Sequence, residues 1–255
     1  MKIWPIFKKE MRLYFTSPVA WVILTIFLLL AGYFFYSIFT FFTLASMQSA
    51  MNPSMARDLN VTDSVMRPVF SNISVILLLL MPLITMRLFA EERRSGTIEL
   101  LLTYPIRDGA VLVGKYLAAL ALYGLMLALT LVYPAIVVYF ARLEWGPLLT
   151  GYLGLVLMGA AFLAVGVFAS SLTENQIVAS VTTFGVLLIF WVIGWSAEAA
   201  GGVWGKVLSH LSILEHFDGF AKGIIDTKDV IYYVNFTVLA LFLSLRSLEA
   251  RRWKG

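Results

Sequence analysis

The charges of this chain fall in clusters, and long stretches between the clusters carry none. Uncharged runs cover 13–56, 68–86, 116–141, 145–173, 175–197 and 230–245. An α-helix needs about 20 apolar residues to cross ~30 Å of hydrocarbon at ~1.5 Å per residue. Five runs reach or approach that length. The last has 16 uncharged residues, and Asp229 and Arg246 at its ends extend it by snorkelling to the interfaces. The pattern predicts spans near 18–42, 70–88, 112–140, 147–170, 177–196 and 229–248. Hydrophobic residues make up 60% of the chain and charged ones 13%, against roughly 45–50% and about 25% in soluble domains. The mean hydropathy is +0.88, so a water-soluble globule is excluded. A barrel would show alternating segments of about ten residues, and none is present. The expected fold is an all-α integral membrane protein with six transmembrane helices, forming one domain over 1–255.

Orientation follows from the cations. Six spans put Lys2, Lys8, Lys9, Arg12, Arg87, Arg93, Arg94, Arg107, Lys115, Arg246, Arg251, Arg252 and Lys254 on one side. Arg57, Arg67, Arg142, Lys206, Lys222 and Lys228 fall on the other. The positive-inside rule places both termini in the cytoplasm. The first apolar run is too long for a signal-peptide core and is read as an uncleaved span. A net charge of +4 from scattered residues excludes a nucleic-acid partner, and zero cysteines exclude disulfides, thiolate metal sites and Cys nucleophiles.

Residues 1–17 read as a basic amphipathic helix in the membrane interface, with Ile3, Phe7, Met11 and Tyr14 on one face and Lys2, Lys8, Lys9 and Arg12 on the rest. Residues 87–108 form the densest polar stretch. Four consecutive charges, Glu91 to Arg94, precede a Ser95-Gly96-Thr97 break, and Pro105 closes the stretch. A short cytoplasmic helix with an acidic–basic head is expected there, between spans two and three, suited to docking a soluble partner. Residues 197–228 read as an external re-entrant or interfacial segment, its apolar residues Val207, Leu208, Leu211, Leu214, Phe217 and Phe220 set among polar ones.

Other constellations fade on inspection. Gly109 to Lys115 matches seven positions of a phosphate-binding loop, but Tyr116 stands where Ser or Thr must ligate magnesium. Gly109 instead marks a turn and Lys115 snorkels. His210 and His216 are six apart, a poor zinc spacing, and are expected as a surface pair. No span centre carries a charge, so any path is lined by residues such as Tyr33, Tyr36, Tyr123, Thr130, Tyr133 and Thr182. Small residues (Ala121, Gly124 and Ala128, then Gly159, Gly166 and Ser170) mark close-packing faces, and Pro82 and Pro134 should kink their spans.

The stretch Phe89-Ala-Glu-Glu-Arg-Arg-Ser-Gly-Thr-Ile-Glu-Leu-Leu-Leu-Thr-Tyr-Pro-Ile resembles the type-2 ABC-transporter permeases. Trp145-Gly-Pro-Leu-Leu-Thr-Gly-Tyr, Ser170-Ser-Leu-Thr-Glu-Asn-Gln and Arg246-Ser-Leu-Glu-Ala-Arg-Arg-Trp are similar to the gliding-motility-associated branch. The resemblance covers essentially the whole chain. It implies a half-pore in the inner membrane, paired with a second permease chain and served by separate cytoplasmic ATPase subunits that bind ATP and magnesium. The chain itself would bind no cofactor and catalyse nothing. It further implies a coupling helix at Glu91, Glu92, Arg93, Arg94, Ser95, Gly96, Thr97 and Glu99, with a smaller ATPase contact around Glu174. Transport, in the direction of export, is the expected function. The rival readings are a secondary carrier or channel, disfavoured by the uncharged spans, and a non-transporting anchor that passes ATP-driven motion to an extracytoplasmic accessory protein.

Overall fold

The computed structural model describes residues 3–51, 60–97 and 107–252, and among them there is no strand. The helices are α1 (Ile3–Thr16), α2 (Pro18–Met51), α3 (Arg67–Thr85) led in by a π turn at Thr62–Met66, α4 (Arg87–Arg94), α5 (Asp108–Thr130), α6 (Val132–Phe140), α7 (Trp145–Leu172), α8 (Gln176–Ala200), α9 (Gly202–Leu211), α10 (Ile213–Ala221) and α11 (Thr227–Arg252). Among the described residues six stretches are long and apolar enough to cross a membrane: Pro18–Met51, Thr62–Arg94, Asp108–Phe140, Trp145–Leu172, Gln176–Ala197 and Thr227–Ala250. The first two run well past the expected limits. Hydropathy reports only the part of a helix suited to hydrocarbon, whereas polar turns such as 62–66 and 91–94 continue the same backbone.

Breaks between helices have local causes. Pro18 lacks the N–H that would continue α1 and sits favourably in the first turn of α2. Pro134 likewise leaves the Thr130 carbonyl without its partner, and the third span is interrupted at Leu131, whose N–H turns to Ala128. The second span carries Pro82 inside α3 and is interrupted at Met86.

Helices α3 and α7 form the centre: their apolar stretches are mostly buried, whereas those of α2, α8 and α11 are mostly exposed. The surface of α7 is notched by glycines into which neighbours insert: Phe70 of α3 at Gly151, Phe220 of α10 at Gly154, Tyr123 of α5 at Gly159 and Thr85 of α3 at Gly166. A Cβ at any of these would overlap the inserted side chain, the close-approach logic of membrane helix packing. Gly159 and Gly166 belong to the expected small-residue face; Gly151 and Gly154 extend it.

After α8 the chain reverses through Gly201 and Gly202, both left-handed (φ 57° and 55°), and α9 folds back along α8. Helix α10 then buries Ile213, Phe217 and Phe220, and the Phe220 carbonyl accepts from Thr150 Oγ1 on α7 at 2.8 Å. Polar contacts collect at the two ends of the bundle. One end joins α1, α4 and the start of α5, while Ser247 of α11 reaches the Ser171 carbonyl of α7. The other joins Arg67 to Asp218 at 2.8 Å and Asn60 to Glu144 at 2.8 Å.

Candidate functional site

The candidate site is built where α1, α4 and α5 meet. Helix α1 turns Ile6 and Glu10 inward and leaves Lys8, Lys9 and Arg12 exposed. Ile6 seats against Gly114 of α5, where a Cβ would lie 2.9 Å from its Cγ2. One turn on, Glu10 Oε1 receives the Lys115 ammonium at 2.7 Å, and Glu92 Oε1 of α4 takes the same ammonium at 3.0 Å. Lys9 reaches that Glu92 oxygen at 3.1 Å, and the Phe89 ring lies 5.3 Å from Lys115 Nζ. The Lys115, Glu10 and Glu92 side chains are 2%, 7% and 13% exposed. The buried Lys115 ammonium is shared by two carboxylates, and the half-exposed Lys9 supplies the second positive charge, so each buried charge has an opposite partner.

This overturns the expectation that Lys115 snorkels to the membrane surface: carboxylates from two other helices meet it in the interior. It also re-centres the inner face of α1, because Ile6 and Glu10, neither of them on the expected apolar face, are the residues it buries. The phosphate-loop look-alike 109–115 is helical throughout, in the first turns of α5.

The other residues of the polar segment divide by exposure. Glu91 points outward and pairs with Arg87 at 2.9 Å, whose guanidinium also donates to Ser17 Oγ at 3.0 Å. Arg93 is buried, and Arg94, Ser95, Gly96 and Thr97 are exposed. Ser95 Oγ donates to the Glu91 carbonyl at 2.9 Å and shares a 2.8 Å hydrogen bond with Thr97 Oγ1, while Gly96 takes a positive φ of 69° that turns the chain away from α4. The charges Glu91 to Arg94 form the last turn of the short helix α4, and the continuation of the expected segment through 98–106 lies outside the described residues. Glu99 and Pro105 lie outside the described residues. Glu174 is exposed in the 173–175 turn, where Thr173 Oγ1 accepts from the Asn175 N–H at 3.1 Å and Asn175 Oδ1 caps α8 through the Ile177 N–H at 2.9 Å.

A cleft of about 510 Å³ opens beside the ion cluster, walled by Leu13, Tyr14, Ile23, Leu83, Arg87 and Glu92 among others. The Tyr14 hydroxyl donates to the Ile84 carbonyl at 3.1 Å. Burial first, and the Glu10 charge second, push that phenol upward, so it stays a donor.

At the opposite end, the histidines are not the expected surface pair. His210 is exposed, but His216 is buried between α10 and α11, its Nδ1 2.6 Å from Asp229 Oδ1 and its Nε2 3.1 Å from the His210 carbonyl. Its ring stacks on Tyr232 at 4.0 Å. Asp229 is correspondingly 4% exposed, where a snorkelling carboxylate had been expected; the imidazole supplies its partner inside the fold. Nearby, burial raises the Asp218 carboxyl, but hydrogen bonds from Lys222 and Arg67 outweigh it and hold the group below the usual carboxylate range. Among the described residues no three His, Asp or Glu side chains gather as a metal site.

The residues expected along a path do not converge within one chain. Tyr33 and Tyr36 face outward from α2 and Thr182 is exposed on α8, whereas Tyr123 is buried with its hydroxyl on the Leu155 carbonyl and Tyr133 donates to the Leu28 carbonyl.

The sequence profile of the family described as ABC-2 family transporter protein matches residues 4–249. No curated protein matches the chain. The profile match identifies the family and not the gliding-motility branch within it. A match over nearly the whole chain, joined to six membrane-length helices, establishes that this chain belongs to the ABC-2 family of transporter membrane proteins and is a multi-pass permease subunit of an ABC transporter.

Proposed function

We propose that the chain pairs with a second permease chain in the inner membrane, both termini cytoplasmic, and couples ATP hydrolysis by separate ATPase subunits to export. The observation that carries this reading is the division of labour in the polar segment. Glu92 and Lys115 lock the end of the second span to α1 and α5, while Glu91, Arg94 and Ser95 to Thr97 stand exposed beside that lock. Force applied to a segment so anchored moves whole helices as bodies instead of dissipating in a loop. ATP and magnesium belong to the partner; Glu174 supplies the smaller second contact. Glu92 and Arg93, turned inward, position the segment, and docking falls to the exposed residues.

Reversing the exposed charges tests the reading without touching the lock. The Glu91→Lys/Arg94→Glu variant should insert and dimerise as the parent does, yet lose at least about tenfold in retention of the untagged native ATPase on co-purification, since rim charges set partner choice. Undiminished retention would overturn the assignment. An intact assembly that hydrolyses ATP but moves nothing across sealed vesicles would favour the force-transmitting anchor, with an extracytoplasmic accessory protein as its load.

A further inference from the structure

Near its end α7 passes the joint between α3 and α4. There the fully buried Ser170 hydroxyl accepts from the Phe89 N–H at 3.0 Å and the Ala90 N–H at 3.1 Å, and donates to the Met86 carbonyl at 3.0 Å. Met86 C=O and Ala90 N–H are an i, i+4 pair of the helix ladder, so a side chain from another helix has entered that ladder. Such insertion is an established cause of helix bending. The surroundings reinforce the joint. Pro82 gives no N–H to the turn before it, and Thr85 folds its hydroxyl back onto the Met81 carbonyl at 2.9 Å while filling the Gly166 notch, one turn before Ser170. Two residues beyond Ser170, α7 ends at Leu172 and the 173–175 turn begins, exposed at Glu174 and Asn175. The two segments assigned to ATPase contact, 91–97 and 173–175, thus hang on the two helices that this one hydroxyl ties together.

We infer that Ser170 is a positioning residue that fuses these two segments into a single rigid platform, holding α4 at a fixed angle to α7. What docks there rests on the proposed function; the rigidity is a property of this chain alone. The absence of native cysteine permits spin labels at Arg94→Cys and Glu174→Cys, both exposed, in the full chain embedded in lipid nanodiscs without ATPase. Ser171→Ala is the matched control, because Ser171 is equally buried but among the described residues its hydroxyl bonds only within α7, to the Phe168 carbonyl at 2.8 Å.

The parent and the Ser171→Ala chain should each give one narrow distance population. Ser170→Ala should broaden that population about twofold or shift its mean, as the freed ladder re-closes and α4 changes its angle. A Ser170→Ala distribution matching that of Ser171→Ala overturns the inference. Should Ser170→Ala not fold, amide exchange in the unsubstituted chain decides: Phe89 and Ala90 are expected to be strongly protected, and exchange as fast as in the 173–175 turn overturns it. A rigid platform that recruits no ATPase would leave this inference standing and sink the docking proposal.

Discussion

At the scale of single residues, Lys115 holds an exacting position. Its ammonium is sealed between Glu10 and Glu92, each within 3.0 Å, and removing it alone would strand the Glu10 carboxylate in the interior and leave Glu92 to the half-exposed Lys9. Breaking a buried ion pair from one side costs far more than the intact pair contributes, because the stranded charge cannot return to water. Lys115→Met is therefore expected to destabilise the protein by about 3–5 kcal/mol, read as a lowered unfolding temperature in detergent. Adding Glu10→Gln and Glu92→Gln to it should recover most of the loss. A single variant as stable as the parent would show that the ammonium does not hold the α1–α4–α5 junction together.

At the scale of elements, α7 sets the packing, and its glycines are the means. At Gly159 the Tyr123 ring occupies the space of a side chain, so Gly159→Ala is expected to cost about 1–3 kcal/mol by overpacking. Tyr123→Leu in the same chain should relieve part of the cost, and paired unfolding temperatures of the single and double variants check it. The notches also show what could be seen in the sequence. Gly159, Gly166 and Ser170 were visible as a face because spacings of three, four or seven repeat on a helix, whereas Tyr123 and Thr85, their partners, sit on other helices and leave no local mark. For the same reason six spans were legible from uncharged runs, but their ends were not: a helix continues through Thr62–Met66 and Glu91–Arg94 wherever the backbone is satisfied, however polar its side chains. The candidate site divides likewise. The run Glu91 to Arg94 announced itself by charge density, while its anchor was invisible, because Glu10 and Lys115 are separated by 105 positions and only tertiary packing joins them.

At the scale of the whole molecule, two polar ends are separated by an apolar belt. The outer faces of α2, α8 and α11 present Leu29, Tyr33, Val181, Ile189, Val238 and Leu239 to their surroundings, apolar side chains suited to lipid or to a second copy of the chain. In the proposed orientation the end that holds α1, α4 and the start of α5, rich in Lys and Arg among the described residues, is the cytoplasmic one. The ion cluster makes this a sharper statement than charge counting alone. Lys9, Glu10, Glu92 and Lys115 are joined at one end, so the N-terminal helix and the end of the second span cannot lie on opposite sides of the bilayer while this cluster is intact. Single cysteines introduced into the otherwise cysteine-free chain test the sidedness. Arg94→Cys and Glu174→Cys should react with a membrane-impermeant maleimide only after the cells are opened, and Lys206→Cys on α9 should react in intact cells. Labelling of Arg94→Cys from outside would invert the molecule and place its proposed docking segment beyond the reach of any cytoplasmic ATPase.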